Sequence, residues 1–299
     1  MWLFSAFASA VLLGFYDVAK KQALKDNDVL AVLFLNTLFS SIIFLPAIIS
    51  AETGAGWFDG TILQMPAGDA HAHARVAVKA VIVLTSWVFG YYGIKHLPIT
   101  LAGPINATRP VLVLLGAMLV FGERLNGMQW TGVLLSAVSF FMLSRSGRRE
   151  GVSFTHNKWI FCTVAAAVTG AASGLYDRYI MQQIDPVFVQ SWYNIYQAAM
   201  TGTAVLAAIL CRHRKISFRW TLAIPLISVL ITCADFVYFS ALSEPDAMIS
   251  VVSMIRRGSV IVSFACGAIL FREKNLRSKA IDLAFILTGM VFLYFGSRQ

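Results

Sequence analysis

Charged residues are scarce in this chain of 299 residues: they make up 13% of it, whereas 58% of the residues are hydrophobic. A soluble domain carries about a quarter charged residues, so this composition excludes an ordinary soluble domain and predicts an integral membrane protein. The net charge of +9 does not indicate a nucleic-acid partner. Membrane proteins gather Lys and Arg in their cytoplasmic loops, and the sequence has no soluble segment that would present a basic surface to nucleic acid.

Residues that build metal sites, disulfides or catalytic centres are also few. The four cysteines include no Cys-x-x-Cys pair. His71 and His73 lie in the long polar segment 51–75, which we predict to be a solvated loop. No His-x-x-x-His, Asp-x-x-Asp or Ser-x-x-Lys motif stands in an apolar run. We therefore expect no metal, no cofactor and no enzymatic activity; a membrane-bound lipid-modifying enzyme remains a less favoured alternative.

Long apolar runs divide the sequence into segments of membrane-spanning length. A bilayer core of about 30 Å needs about 20 apolar residues as a helix, and ten such runs predict ten transmembrane helices. They lie near 2–20, 29–50, 76–95, 98–120, 128–145, 159–180, 187–211, 221–242, 247–271 and 280–297. The polar, Gly-containing segment 147–158 reads as a linker between two sets of five.

The two halves of the sequence resemble each other. Gly-Phe-Tyr-Asp ending at Asp17 is similar to Gly-Leu-Tyr-Asp ending at Asp177. Further matches in the same order pair Asn36 with Asn194, Tyr91 with Tyr238, and Pro98 with Pro245. An odd number of helices per repeat gives the repeats opposite orientations in the membrane. We expect an all-α protein of two inverted five-helix repeats, residues 1–146 and 159–299, around a central cavity.

Basic residues of the interhelical segments are unevenly divided between the two predicted membrane faces. One face carries most of them, whereas the other, with both termini, holds only Arg75, Lys79, Arg124 and Arg298. We expect the protein to lie in the cell (inner) membrane, and the positive-inside rule then predicts that both termini are on the outer side of that membrane.

The ten-helix plan resembles the drug/metabolite transporter superfamily, specifically two tandem EamA-type repeats. The resemblance covers nearly the whole chain and rests on Pro98 and Pro245 before the fourth and ninth helices, and on Glu123 and Glu273 just after them. It implies secondary transport of small solutes through a central cavity. It also implies cytoplasmic termini, in contrast to the charge distribution.

Acids inside apolar runs are costly and usually mark a pathway or binding site. Asp17 and Asp177 occupy equivalent helices, and we hypothesise that one or both carry the coupling proton, with Asp17 the better candidate for a free acid. A rival interpretation pairs Asp177 with the adjacent Arg178 or with an arginine of another helix, without a proton role.

Intramembrane arginines are the predicted anion ligands. Arg109 precedes Pro110, which removes a backbone donor and favours a kink. Arg256 and Arg257 lie in the matching part of the ninth helix. A guanidinium grips a carboxylate or phosphate with two parallel hydrogen bonds, so we expect an anionic or zwitterionic group to bind there. Asp235 either meets a substrate ammonium group or neutralises one of these arginines.

Aromatic and amide side chains complete the predicted cavity wall. The candidates are Trp87, Tyr91, Trp192, Tyr196, Tyr238, Asn36 and Asn194. Taken with the resemblance, which implies secondary transport, these residues lead us to expect a transporter of a small polar or amphipathic metabolite that works by alternating access. Protons are the candidate coupling ion, and membrane lipids surround the protein. A passive channel or facilitator is the alternative.

Overall fold

The computed structural model describes residues 2–121, 126–148, 157–181, 183–210, 217–243, 255–271 and 276–296. Across these ranges the regular structure is helical, as predicted. The helices are α1 (Trp2–Ala23), α2 (Val29–Thr53), α3 (Ala70–His96), α4 (Ile99–Ala107), α5 (Arg109–Phe121), α6 (Gly127–Arg148), α7 (Lys158–Met181), α8 (Pro186–Leu210), α9 (Ala223–Ser243), α10 (Ser259–Leu270) and α11 (Leu276–Gly296).

Aspartate caps decide where α2 and α3 begin. The Asp28 carboxylate accepts a hydrogen bond from the Leu30 amide at 2.9 Å, and that of Asp69 accepts one from the Ala72 amide at 2.7 Å. Each bond satisfies an amide that the first helical turn leaves without a partner. The Asp69 cap starts α3 at residue 70, so the prediction that the loop continues to residue 75 is wrong.

Five of the described helices are long and apolar enough to cross a membrane, judged by length and composition. They are α2, α3, α7, α9 over Ala223–Ala241, and α11 over Lys279–Gly296. The count of ten spans therefore stays a prediction. Glu123, Glu273 and Pro245 lie outside the described residues, as does 149–156 of the predicted linker.

The predicted fourth and ninth helices are interrupted at corresponding places. Between α4 and α5, the Thr108 amide bonds the Ile105 carbonyl at 3.2 Å. Before α10, the Gly258 amide bonds the Ile255 carbonyl at 2.8 Å in the same three-residue turn. Pro110 explains the first interruption, because it has no amide hydrogen to continue the helix ladder.

The contacts between helices recur when each helix is replaced by its equivalent in the other half of the chain. α1 packs on α9 as α3 packs on α7, and α2 packs on α9 as α3 packs on α8. α1 meets α10, while α7 meets α4 and α5. The pairs α2–α8 and α6–α11 map onto themselves when the helices of one half are exchanged with those of the other. Each of these interfaces joins a helix of the first half to a helix of the second, so the interior lies between the two halves.

Candidate functional site

Asp17 lies beside a buried lysine of its own helix. The Lys20 amine donates to the Asp17 carboxylate at 2.6 Å, a pair made possible by their three-residue spacing on α1. The amine also lies 4.3 Å from the centre of the Tyr16 ring and 5.3 Å from that of Tyr91. The hydroxyls of these two tyrosines are hydrogen-bonded at 3.1 Å. The expectation that Asp17 is a free acid is therefore wrong.

Asp177 is paired across two helices. Its carboxylate accepts from the Lys79 amine of α3, whose side chain is 3% exposed. The rival interpretation of the sequence offered an arginine as the partner, whereas the described partner is Lys79, which the charge distribution had counted among the interhelical basic residues. The burial of Lys20, Lys79 and Lys279 also removes these three cations from the loop charges that orient the chain. Arg124 and Arg298 lie outside the described residues.

Asp235 of α9 neutralises Arg256, the second of the two roles that the sequence left open. The Arg256 guanidinium donates to one carboxylate oxygen, and the Tyr193 hydroxyl donates to the other at 2.9 Å. The guanidinium also lies over the Tyr238 ring, 4.1 Å from its centre. Lys79 lies 5.2 Å from the centre of the Tyr193 ring, which brings the Asp177 and Asp235 pairs next to each other.

Arg109 and Arg257 have no carboxylate partner among the described side chains. The Arg109 guanidinium makes two long hydrogen bonds, at 3.4 Å each, to the side-chain oxygens of Ser86 and Asn106. Its Nε is buried without a partner. It packs against α7 at Gly170, where a β-carbon would lie 2.4 Å from the guanidinium carbon.

These charges act on one another across the interior. Arg109 interacts electrostatically with Arg257, Asp17 and Arg256, and Arg257 interacts with Asp17 and Asp177. Among the described side chains here, five are cations and three are acids. The cations are Lys20, Lys79, Arg109, Arg256 and Arg257, and the acids are Asp17, Asp177 and Asp235. The cluster thus carries excess positive charge, which favours an anion.

Neutral polar side chains lie buried between α2 and α8. Thr37 and Thr201 join the two helices through hydroxyls 3.0 Å apart. Within one turn of this bond, Asn36, Ser40 and Gln197 hold buried polar atoms without partners. Asn194, by contrast, donates to the Gln190 carbonyl at 3.0 Å. An unpaired buried polar group costs about 1–3 kcal/mol, so this layer is suited to a hydrogen-bonding ligand.

Trp192 and Tyr196 of α8 meet a histidine that the sequence placed in a solvated loop. The His73 ring lies edge-on to Trp192 with centres 4.6 Å apart, and its Nδ1 is 2.9 Å from the Tyr196 hydroxyl. His73 stands in the first turn of α3, so the loop interpretation is wrong. Trp87 packs instead in the separate apolar cluster around Tyr91. Among the described residues, no three His, Cys, Asp or Glu side chains group as a metal requires.

Comparisons with known proteins agree with this architecture. Residues 1–145 match the EamA-like transporter family. A curated relative, an uncharacterized transporter of Archaeoglobus fulgidus, is 22% identical over 152 residues, which span half of this chain and half of the relative's length. A crystal structure of another protein superposes with a TM-score of 0.67 at 16% identity and covers 99% of this chain and 96% of that one. That likeness concerns the fold alone.

Proposed function

Because residues 1–145 match the EamA-like transporter family, we propose that this chain is a secondary active transporter of a small polar or amphipathic metabolite bearing an anionic group. The observation that carries the proposal is the pair of guanidinium groups, Arg109 and Arg257, that lack a carboxylate partner among the described side chains. An anionic or zwitterionic substrate would supply the missing negative charge.

The charge balance favours the anionic end of the substrate as its anchor. The ion pairs at Asp17, Asp177 and Asp235 leave each of these acids neutralised. A charge inside a membrane protein is stable only when it faces a partner or a polar cavity. Arg109 and Arg257 carry like charges that disfavour each other, and a carboxylate or phosphate between them would form charge-assisted hydrogen bonds with both.

Alternating access is the proposed mechanism, and it requires two halves that exchange conformations. The exchange pattern of helix packing and the matching turns at Thr108 and Gly258 support two five-helix repeats, 1–146 and 159–299. With five spans each, the repeats would be inverted, so that swapping their conformations opens the central cavity to the other side. The remaining loop charges support termini outside the cell membrane.

Protons are the proposed coupling ion. Asp17 and Asp177 are each bound to a lysine, and protonation of either carboxylate would break its ion pair. Because the Asp177 pair joins α3 to α7, its loss would loosen the contact between the two halves. Proton uptake would thereby be linked to movement of one half against the other.

A thermal-shift comparison tests substrate class. Carboxylate and phosphate metabolites are compared with their uncharged amide or ester analogues on the purified protein. A ligand of the folded state raises the unfolding free energy by about 2.7 kcal/mol at a hundredfold excess over its Kd. We expect stabilisation by anions only, its loss in Arg257→Gln, and its retention in Lys158→Gln, which removes an exposed charge of α7. Stabilisation by the uncharged analogues would refute an anionic substrate.

Saturable uptake then separates a carrier from a channel. In proteoliposomes, a carrier gives flux that saturates with substrate and accelerates when the same substrate is trapped on the far side. Flux that rises linearly with substrate concentration and is not accelerated by substrate trapped on the far side would favour the channel instead.

A further inference from the structure

A cleft of about 870 Å³ lies on the outside of the bundle, away from the charge cluster, between the ends of α1, α9 and α10. One wall is a face of α1 that includes Phe15, Val18 and Gln22, at the spacing of a single helical stripe. A second wall is formed by Leu226 and Leu230 of α9 and by Leu222, which immediately precedes that helix. We propose that this cleft binds an anionic phospholipid.

The walls of the cleft are suited to an acyl chain. Leu222 is 81% exposed and Leu270, at the end of α10, is 64% exposed. Large apolar side chains exposed this far are stable in hydrocarbon and unfavourable in water. A volume of this size is within the range of cavities that enclose a ligand of several hundred daltons. The cleft therefore holds a segment of lipid tail in contact with leucine and phenylalanine side chains.

Lysines gather at one end of the cleft. Lys21, Lys25 and Lys95 line it, and none of the described lining residues is acidic. The Lys21 amine donates to the carbonyls of Ile94 and Leu97, and the Lys95 amine donates to that of Asn27. These bonds hold two of the amines at the mouth, and the side chain of Lys25 is exposed.

Two acids that follow Lys25 in the sequence, Asp26 and Asp28, do not line the cleft. Asp28 is occupied as the cap of α2, where its carboxylate accepts from the Leu30 amide. Asp26 follows Lys25 in a left-handed turn, with φ of 62°, and does not line the cleft. Among the described residues, three lysines and no acid therefore line the mouth of the cleft.

The position of the lysines matches the level of lipid headgroups. Lys21 is in the last turn of α1 and Lys95 in the last turn of α3, both at helix ends. Stacking of His96 on Trp159, with ring centres 3.7 Å apart, places the start of α7 at the same end of the bundle. The sequence predicts that the basic interhelical segments lie on the side of the membrane where this end stands. Basic pockets between helices on the cytoplasmic side recognise anionic headgroups. An apolar groove that ends in lysines thus matches one anionic lipid, tail and headgroup together.

Lipid titration of the purified protein in detergent tests the proposal. Phosphatidylglycerol and phosphatidylcholine with identical acyl chains are added, and binding is followed by native mass spectrometry and by thermal unfolding. We expect phosphatidylglycerol to bind at one preferred site and raise the unfolding temperature, whereas phosphatidylcholine does not. Each lysine removed near a headgroup weakens anionic lipid binding about fivefold, so Lys25→Gln should bind about fivefold more weakly and Lys25→Gln with Lys95→Gln weaker still.

The matched control is Lys158→Gln, which removes a cation from the same end of the bundle but not from the cleft. It should bind phosphatidylglycerol like the unaltered protein. Lys25→Gln alters an exposed side chain and should fold normally, so it decides the matter if the double variant is unstable. Equal response to both lipids, equal binding by Lys25→Gln, or the same shift with inorganic phosphate alone would overturn the proposal.

Discussion

Lys79 of α3 forms an ion pair with Asp177 of α7, and this bond joins the two halves of the chain inside a helix interface. The residue equivalent to Asp177 in the first half is Asp17, which pairs instead with Lys20 on the same helix. The two acids of the sequence repeat are therefore held differently, one across halves and one within a helix. Only the first pair must break if α3 and α7 separate.

Removing one member of the Lys79–Asp177 pair should lower the stability of the fold more than removing both. Lys79→Gln leaves a carboxylate without its partner, and breaking a buried pair in this way costs about 3–5 kcal/mol. Lys79→Gln combined with Asp177→Asn should recover most of this loss, since no uncompensated charge remains. Thermal unfolding in detergent measures both. A double variant as unstable as the single one would show that the ion pair is not the cause.

Gly170→Ala should weaken anion binding without removing any charge. The new β-carbon would lie 2.4 Å from the Arg109 guanidinium carbon and 2.6 Å from Nη1, so the guanidinium must move. Gly174→Ala, one turn further along α7, is the matched control, because its β-carbon meets Val113 at an ordinary 3.8 Å. Anion-dependent thermal shifts should fall in the first variant and persist in the second. Equal responses would mean that the placement of Arg109 is unimportant.

Replacing Gln197 by leucine should leave the ligand-free protein at least as stable as before. Both polar atoms of this side chain are buried without a partner, and replacing such a group by an apolar one removes a cost of about 1–3 kcal/mol. The same variant should reduce the stabilisation given by substrate, if substrate supplies the missing hydrogen bonds. Thr37→Val, which loses the bond to Thr201, serves as comparison and should cost about 1 kcal/mol. A large loss of stability in Gln197→Leu would contradict an unpaired amide.

The proton hypothesis predicts a specific defect in Asp17→Asn and Asp177→Asn. Neither variant can release a proton at its altered site, so uptake driven by a pH gradient should fall in one or both to the level of protein-free liposomes. Exchange of substrate without a gradient should continue. Because each change leaves a lysine unpaired, Asp17→Asn with Lys20→Gln is the stabilised control. Full gradient-driven uptake in both single variants would exclude these acids as proton carriers.

The helices could be predicted from the sequence because a membrane requires long apolar runs, and the observed bounds follow those runs closely from α1 to α11. The interruption before Pro110 was also predictable, since proline cannot donate to the helix ladder. The start of α3 was missed, because hydropathy gives no weight to Ala70–Arg75. Asp69 was the available signal, as an aspartate that caps the following turn.

The pairing of charges was less predictable than the helices. The spacing of Asp17 and Lys20 is visible in the sequence, but it does not distinguish a pair from two separate roles. The partner of Asp177 depends on how α3 packs on α7, which no local pattern encodes. That Arg109 and Arg257 have no carboxylate partner among the described side chains follows only after the other ion pairs are known.

Substrate uptake by the Arg257→Gln variant tests the central claim most directly. The protein is reconstituted in liposomes with an anionic metabolite that stabilises it, and initial uptake is measured against Lys158→Gln as a matched loss of charge. An anion bound between Arg109 and Arg257 predicts saturable uptake in the unaltered protein and in Lys158→Gln, and uptake near background in Arg257→Gln. Unchanged saturable uptake in Arg257→Gln would contradict the proposed anion site.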